Sequence, residues 1–295
     1  MRPMNRTLRY VSNSIDTIKI SKFLMEYGYS AHLLTQLRHT EGCIVLNGNV
    51  VHMNALISKG DELVVTLPEE KDDTSIKPVN IPVDILYEDE DVLIIAKPAG
   101  MPIHPSIRHY EDTLANAVLY YYQSRGERIV FRCMTRLDKD TSGVVLIAKN
   151  ILSATILSDM VKSGGIHKEY LAIADGIPDN VGRIDAPIAR KDGSVIERII
   201  DEAGKPSVTN YRVEKTFDGY SLVRLTLETG RTHQIRVHMR HIGHPLIGDY
   251  IYNPEDKRME RQALHCALIR FSHPINGKEI CIEAPMPEDM TELLQ

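Results

Sequence analysis

The sequence contains no tryptophan and only four phenylalanines, so leucine, isoleucine, valine and tyrosine must fill its core. Hydrophobic residues still make up 43% of the 295 residues and charged residues 25%, as in ordinary globular proteins. A chain of this length accommodates one large domain, or a large domain with a small one. The scarcity of large aromatic residues therefore changes the composition of the core without preventing its formation.

Cysteines are few, and long apolar runs are missing. The four cysteines form no CxxC pair, which argues against a disulfide framework and against a cysteine-rich zinc site. The amino-terminal stretch MRPMNRTLRYVSNS lacks the apolar core of a signal peptide, and no segment approaches about 18 consecutive apolar residues. We therefore expect a cytoplasmic protein with no membrane partner.

The net charge of -5, taken alone, argues against a nucleic-acid partner, but its distribution does not. Residues 1–60 contain seven basic and three acidic residues, so the acidic excess lies in the rest of the chain. A basic amino-terminal segment on an acidic body leaves RNA binding open.

Apolar residues recur at helical spacing in residues 20–27 and 33–37, which predicts two short helices. Gly28 is a typical helix terminator, and Ser30 is a typical cap for the second helix. Asn47-Gly48 is a strong hairpin signal, and GDELVVTLP supplies another short strand. These patterns predict a compact α/β module.

The polar stretch PEEKDDTSIKPVN is predicted to be a linker. We thus divide the chain into a module of residues 1–67, a linker of residues 68–80 and a larger domain of residues 81–295. In the larger domain strands and helices mix without a strict βαβ rhythm. This pattern favours an α+β domain over a doubly wound one.

The stretch TRLDKDTSGVVLIAKN places a charged loop before an apolar strand. Its DKDTSG imitates the start of a calcium loop, but the twelfth position is Lys149 instead of a bidentate glutamate, so that interpretation fails. Two interpretations stay open. Asp138 is either the cap of a solvated turn or a carboxylate placed to react.

A second basic stretch, TGRTHQIRVHMRHIGHPLIGD, alternates polar and apolar residues from His233 onward. The alternation predicts a strand with Arg236 and Arg240 on its polar face. The four histidines of this stretch match no familiar zinc spacing, so we predict no metal site. An arginine of this face lying over Asp138 would pair with that carboxylate and aim it.

Together these stretches resemble the RluA family of pseudouridine synthases. The resemblance rests on RLDKDTSGVVLIAK, TGRTHQIRVH and GHPLIGD, with EDEDVLIIAKPAGMPIHPS, HKEYLAIADG, GKPSVTNYRV, ALHCALIRFSHP and EAPMP in the same order. It covers nearly the whole chain after Asp89. The amino-terminal module resembles the alpha-L RNA-binding fold of a small-subunit ribosomal protein.

The resemblance implies an α+β catalytic domain with a mixed, largely antiparallel sheet. It also implies an isomerase that converts uridine in RNA to pseudouridine without a cofactor or an obligatory oligomer, with large-subunit ribosomal RNA as the expected substrate. It assigns catalysis to Asp138, Tyr170 and Arg236. Arg136 would fill the gap left by a flipped uridine, where a planar cation can stack. The other implied RNA or substrate contacts are Arg231, Ile235, Lys19, Lys22 and Arg38.

Two departures from the family pattern are Thr135, where His or Asn commonly precedes RLD, and Ala31, where an Arg often follows the serine of the alpha-L module.

Two alternative functions remain. One is a non-catalytic RNA-binding assembly factor, which would need a damaged site. The other is a glycoside hydrolase using Asp138 and Asp140, although residues so close in sequence rarely straddle a sugar at about 5–9.5 Å. We expect a local basic cleft around Arg136, Arg231, Arg236 and Arg240, and RNA affinity that falls with salt.

Overall fold

The computed structural model describes residues 2–3, 6–68 and 75–295. Residues 69–74 of the predicted linker lie outside the described residues, and residues 75–83 contain no helix or strand. The first elements along the chain are β1 (Arg2–Pro3), β2 (Thr7–Val11), β3 (Ile18–Lys19), α1 (Ile20–Glu26), α2 (Ala31–Arg38), β4 (Ile44–Leu46), β5 (Asn49–Val50), β6 (Leu56–Ile57) and β7 (Glu62–Thr66).

The local signals of this amino-terminal segment, residues 6–68, are confirmed. The Ser30 hydroxyl accepts a hydrogen bond from the Leu33 amide at 3.2 Å and caps α2. Asn47 and Gly48 both have positive φ, as a two-residue type I′ hairpin turn between β4 and β5 requires. The order β2-β7-β4-β5 forms a small sheet.

The remaining strands are β8 (Asp84–Glu88), β9 (Val92–Lys97), β10 (Glu127–Arg128), β11 (Ser142–Ala148), β12 (His167–Asp175), β13 (Val181–Asp185), β14 (Ile188–Arg190), β15 (Arg198–Ile200), β16 (Val208–Thr216), β17 (Tyr220–Leu227), β18 (Leu264–Ser272) and β19 (Glu279–Glu283). The remaining helices are α3 (Leu114–Ser124), α4 (Ile151–Ser163), α5 (Gln234–His241) and α6 (Glu288–Leu293).

A nine-stranded sheet runs in the order β13-β16-β17-β12-β18-β11-β9-β8, and β19 pairs with β18. Its strand pairs are antiparallel except for β11 with β18. The α+β prediction, with a mixed and largely antiparallel sheet, is therefore confirmed.

Both faces of this sheet are covered, which explains why every residue of β11 is buried. On one face Val145 and Ile147 pack in a cluster with Val118 of α3. On the other face Leu146 belongs to a cluster that includes Ile235 of α5. Because strand side chains alternate between faces, one apolar strand serves both layers.

The amino-terminal segment is attached to the large sheet by apolar and ionic contacts. Its core includes Leu152, a residue of α4, and Ile156 packs against the same core. Arg6 donates two hydrogen bonds to the buried carboxylate of Asp91, at 2.9 and 2.8 Å. The division into module, linker and larger domain stays a prediction, because core residues are shared across it.

The stretch predicted as a strand from His233 is instead the helix α5, so that prediction was wrong. All six side chains of residues 234–239 are buried. The polar ones find partners inside the protein: the amide of Gln234 donates to the Val208 carbonyl, and His238 contacts the Thr209 hydroxyl. In this stretch, therefore, the alternation of polar and apolar residues did not separate a solvent-exposed face from a buried one.

Gly143 should be irreplaceable for packing β11 against β18. It has a φ of +116°, and a Cβ atom there would lie 2.2 Å from the Cys266 carbonyl oxygen. We expect Gly143→Ala to lower the free energy of unfolding by roughly 3–5 kcal/mol, measured by urea denaturation.

Gly219→Ala is the matched control, because Gly219 also has positive φ but a methyl group added there would have no atom within 4 Å. That variant should lose only about 1–2 kcal/mol, the cost of the left-handed conformation. Equal losses in the two variants would contradict the steric explanation.

Candidate active site

The loop that precedes β11, residues 135–141, carries Asp138 and is called the carboxylate loop below. Within it the Thr141 amide donates to the Asp138 carbonyl at 3.1 Å, which forms a turn. The Thr135 hydroxyl is buried and accepts a hydrogen bond from the Leu146 amide at 3.0 Å. The residue that departs from the family pattern thus fastens the loop to its strand.

The side chain of Asp138 caps no backbone amide in the part of the chain that the structure describes. Its Oδ2 atom lies 3.4 Å from Nη1 of Arg236, and the side chain is 27% exposed. Among the described residues none bonds to Oδ1. The carboxylate is thus held from one side and open on the other.

Arg236 is itself held by Asp249, which follows α5. Its Nε and Nη2 atoms donate to the two carboxylate oxygens of Asp249 at 2.6 and 2.7 Å. The arginine side chain is 1% exposed and the aspartate 0%. Burial opposes the charge, but the bonds to Asp249 and the nearby Asp138 outweigh it and raise the pKa of Arg236.

Asp249 accepts further hydrogen bonds from the backbone amides of Ile251 and Tyr252, both at 3.0 Å. Every oxygen of this buried carboxylate therefore has a partner, as a buried charge requires. Asp249 ends the motif GHPLIGD, but the sequence pattern assigned it no role. The expected pairing of Arg236 with Asp138 was itself a signal, because a buried arginine that orients one carboxylate needs a second carboxylate to balance its charge.

Lys97, at the end of β9, ties another element to the carboxylate loop. Its Nζ atom donates to the carbonyls of Pro98, Met101 and Lys139 at 2.8, 2.9 and 2.9 Å. Burial lowers the pKa of this amine to about 7, although Asp140 and Asp138 act in the opposite direction. Sequence reasoning missed this contact, because a single lysine gives no sign of being buried.

Tyr170 and Ile235 lie in the same apolar cluster of the sheet. Gly143, Cys266 and Tyr170 occupy paired positions on three adjacent strands, so the tyrosine lies two strands away from the start of β11. Burial raises the pKa of the Tyr170 phenol well above its ordinary value, and a bond to Cys266 adds to this. The phenol is therefore neutral, which disfavours it as a base.

The other predicted contacts are exposed. Arg136 lies on the carboxylate loop, and Arg231 precedes α5 with its Nε donating to the Pro206 carbonyl. Lys19, Lys22 and Arg38 are exposed on the amino-terminal segment. The expected basic cleft needs one correction, since Arg236 is buried and paired and offers no charge to solvent.

In the part of the chain that the structure describes, one group of side chains has the spacing of metal ligands: Asp89, Asp91 and His273. Asp91 already binds Arg6, and Asp89 accepts bonds from two backbone amides. These contacts explain the group without a metal. None of the described helices is long and apolar enough to cross a membrane.

The site thus consists of one partly exposed carboxylate, Asp138, held by the buried Arg236 beside a mixed sheet. The model of a family described as RNA pseudouridylate synthase matches residues 91–241, which include Asp138, Tyr170 and Arg236. The chain belongs to this family. It is an RNA pseudouridine synthase, an isomerase that converts uridine in RNA to pseudouridine.

Similar proteins extend the match beyond that region. The chain is 39% identical over 277 residues to "Uncharacterized RNA pseudouridine synthase YjbO" of Bacillus subtilis, covering 94% of this chain and 98% of that protein. It is 38% identical to "Ribosomal large subunit pseudouridine synthase D" of Escherichia coli, covering 85% and 82%. The structure of "Human RNA Pseudouridylate Synthase Domain Containing 1" superposes with a TM-score of 0.59 at 27% identity, covering 71% and 86%.

Removing the charge of Asp249 should unfold the site. We expect Asp249→Asn to lower the free energy of unfolding by about 3–5 kcal/mol in urea denaturation, because it leaves the buried Arg236 without its main partner. Asp159→Asn is the control, since Asp159 pairs with Lys162 and both side chains are 72% exposed. Its loss should stay within about 1 kcal/mol. Similar losses in both variants would mean that the burial of the Arg236–Asp249 pair does not increase its contribution to the free energy of unfolding.

Proposed function

We propose that the chain isomerises uridine in large-subunit ribosomal RNA, with Asp138 as the catalytic carboxylate. The observation that carries the assignment of Asp138 is its contact with the buried Arg236, with Oδ1 left unbonded among the described residues. The substrate class is supported by the name of the Escherichia coli relative, which specifies the large ribosomal subunit.

The reaction breaks the N-glycosidic bond of uridine, turns the uracil and joins its C5 atom to the ribose. The hydrogen on C5 leaves as a proton, and N1, once detached from the ribose, takes up a proton. A carboxylate suits this chemistry because it can act as a nucleophile or accept a proton. Arg236 supports Asp138 by fixing Oδ2, so that only Oδ1 meets the substrate.

The remaining site residues have supporting roles in this proposal. Tyr170 and Ile235 offer an apolar surface to the uracil, a role that suits a neutral phenol better than proton abstraction does. Arg136 is exposed two residues before Asp138 and would stack where the flipped uridine was. Arg231 would contact the RNA backbone beside α5.

Asp138→Asn tests the function and its carboxylate together. Tritium release is measured from large-subunit ribosomal RNA and transfer RNA transcripts labelled at C5 of uridine, since isomerisation expels that hydrogen. Wild type should release tritium from the ribosomal transcript, and the variant should be slower by roughly 10²- to 10⁴-fold.

Asp140→Asn is the matched control, because it removes the neighbouring carboxylate of the same loop and should retain activity. Release from transfer RNA alone would overturn the substrate class. Full activity of Asp138→Asn would overturn the catalytic assignment. RNA binding without release by wild type would favour an assembly factor.

Lys19, Lys22 and Arg38 are proposed to bind RNA phosphates. Replacing all three with Gln should weaken RNA binding and reduce the slope of log affinity against log salt by about 0.7–0.9 for each phosphate that the protein no longer neutralises. The measurement is a fluorescence-anisotropy titration at several salt concentrations. Lys162→Gln with Lys278→Gln serves as the control and should leave the slope unchanged. An unchanged slope in the triple variant would exclude these three residues from the RNA interface.

A further inference from the structure

His233 lies between the carboxylate loop and Tyr252. It precedes the first residue of α5 with a φ of +58°, a left-handed conformation that is uncommon for residues other than glycine. Its Nδ1 atom is 2.9 Å from the Tyr252 hydroxyl, and its Nε2 atom is 3.9 Å from Oδ2 of Asp138. The imidazole side chain is only 12% exposed. An uncommon backbone conformation thus holds a largely buried ring between a phenol and the carboxylate.

The contacts of Tyr252 determine which nitrogen of His233 carries the proton. The Tyr252 oxygen already accepts a hydrogen bond from the Arg198 amide at 2.9 Å. Tyr252 is 3% exposed, so its own hydroxyl hydrogen needs a partner inside the protein. The Nδ1 atom of His233 is that partner, which places the imidazole proton on Nε2, facing Asp138.

Charged groups surround this imidazole on several sides. Burial lowers the pKa of His233, with Arg236 and Arg198 acting in the same direction and Asp138 and Asp249 opposing them. The ring is therefore neutral at neutral pH. A neutral ring keeps Nδ1 free to accept the Tyr252 hydrogen.

Arg236 and His233 both approach the same oxygen of Asp138. The distances to Oδ2 are 3.4 Å from Nη1 of the arginine and 3.9 Å from Nε2 of the histidine. Catalytic hydrogen bonds are often long in a free enzyme and tighten when the substrate binds. Two donors on Oδ2 would fix the rotation of the carboxylate and present Oδ1 to the sugar or base.

We propose that His233, oriented by Tyr252, is a positioning residue that donates its Nε2 hydrogen to Oδ2 of Asp138 in the substrate complex. This inference rests on the proposed catalytic role of Asp138. The contacts of His233 with Tyr252, and of Tyr252 with the Arg198 amide of β15, then connect α5 and β15 to the carboxylate loop.

His233→Asn is the first test, because asparagine tolerates the left-handed conformation and its side-chain oxygen can still accept from Tyr252. It cannot reach Asp138. With the tritium-release assay on the transcript that wild type uses, kcat should fall by up to about 100-fold while KM stays within about threefold. His233→Gln, whose longer amide can reach Oδ2, should recover part of kcat.

Tyr252→Phe tests the orientation of the imidazole. It removes the hydroxyl and keeps the ring that lies against Arg236. The single variant should lower kcat, and the double variant with His233→Asn should be no slower than His233→Asn alone, since both act through one chain of contacts. Thermal unfolding of each variant confirms that it is folded.

The outcomes separate this inference from the proposed function. If Asp138→Asn is active, the proposed function fails. If Asp138→Asn is inactive but His233→Asn keeps kcat within about twofold of wild type, this inference alone fails. Effects of His233→Asn and Tyr252→Phe that multiply in the double variant would also overturn it.

Discussion

The pair formed by Arg236 and Asp249 is the interaction on which the site depends. A buried guanidinium is tolerated only when its charge is balanced and its hydrogens are bonded, and Asp249 does both. The remaining nitrogen, Nη1, is then the one aimed at Asp138. The catalytic carboxylate of the proposal is therefore oriented by a second carboxylate that never meets the substrate.

The sheet gives this pair a rigid support. α5 packs Ile235 and Met239 into the same cluster as β11, so the helix that carries Arg236 and the strand that follows Asp138 share one core. The amino group of Lys97 links the end of β9 to the backbone of the carboxylate loop. The apolar core shared by α5 and β11 and the Lys97 bond to the carboxylate loop therefore fix the positions of Arg236 and Asp138.

Some of this was predictable from sequence and some was not. The cap at Ser30 and the turn at Asn47-Gly48 are local signals, and local signals were sufficient for the first helices and hairpin. The pairing of Asp138 with an arginine of the second basic stretch was expected from the sequence, and the family resemblance singled out Arg236. α5 was mistaken for a strand because QIRVHM alternates, and its polar residues are satisfied by partners distant in sequence. Asp249 and Lys97 were missed because the sequence pattern does not show which charged side chains are buried.

The shared core of the amino-terminal segment has a consequence for synthesis. The ribosome releases residues in order, so the segment of residues 6–68 emerges well before α4 does. Its core includes Leu152 and contacts Ile156, so that core stays incomplete until the carboxylate loop, β11 and α4 have also emerged. Domains usually fold as they emerge. Here the earlier segment is finished later, and its completion reports that β11, the strand after the carboxylate loop, has already been made.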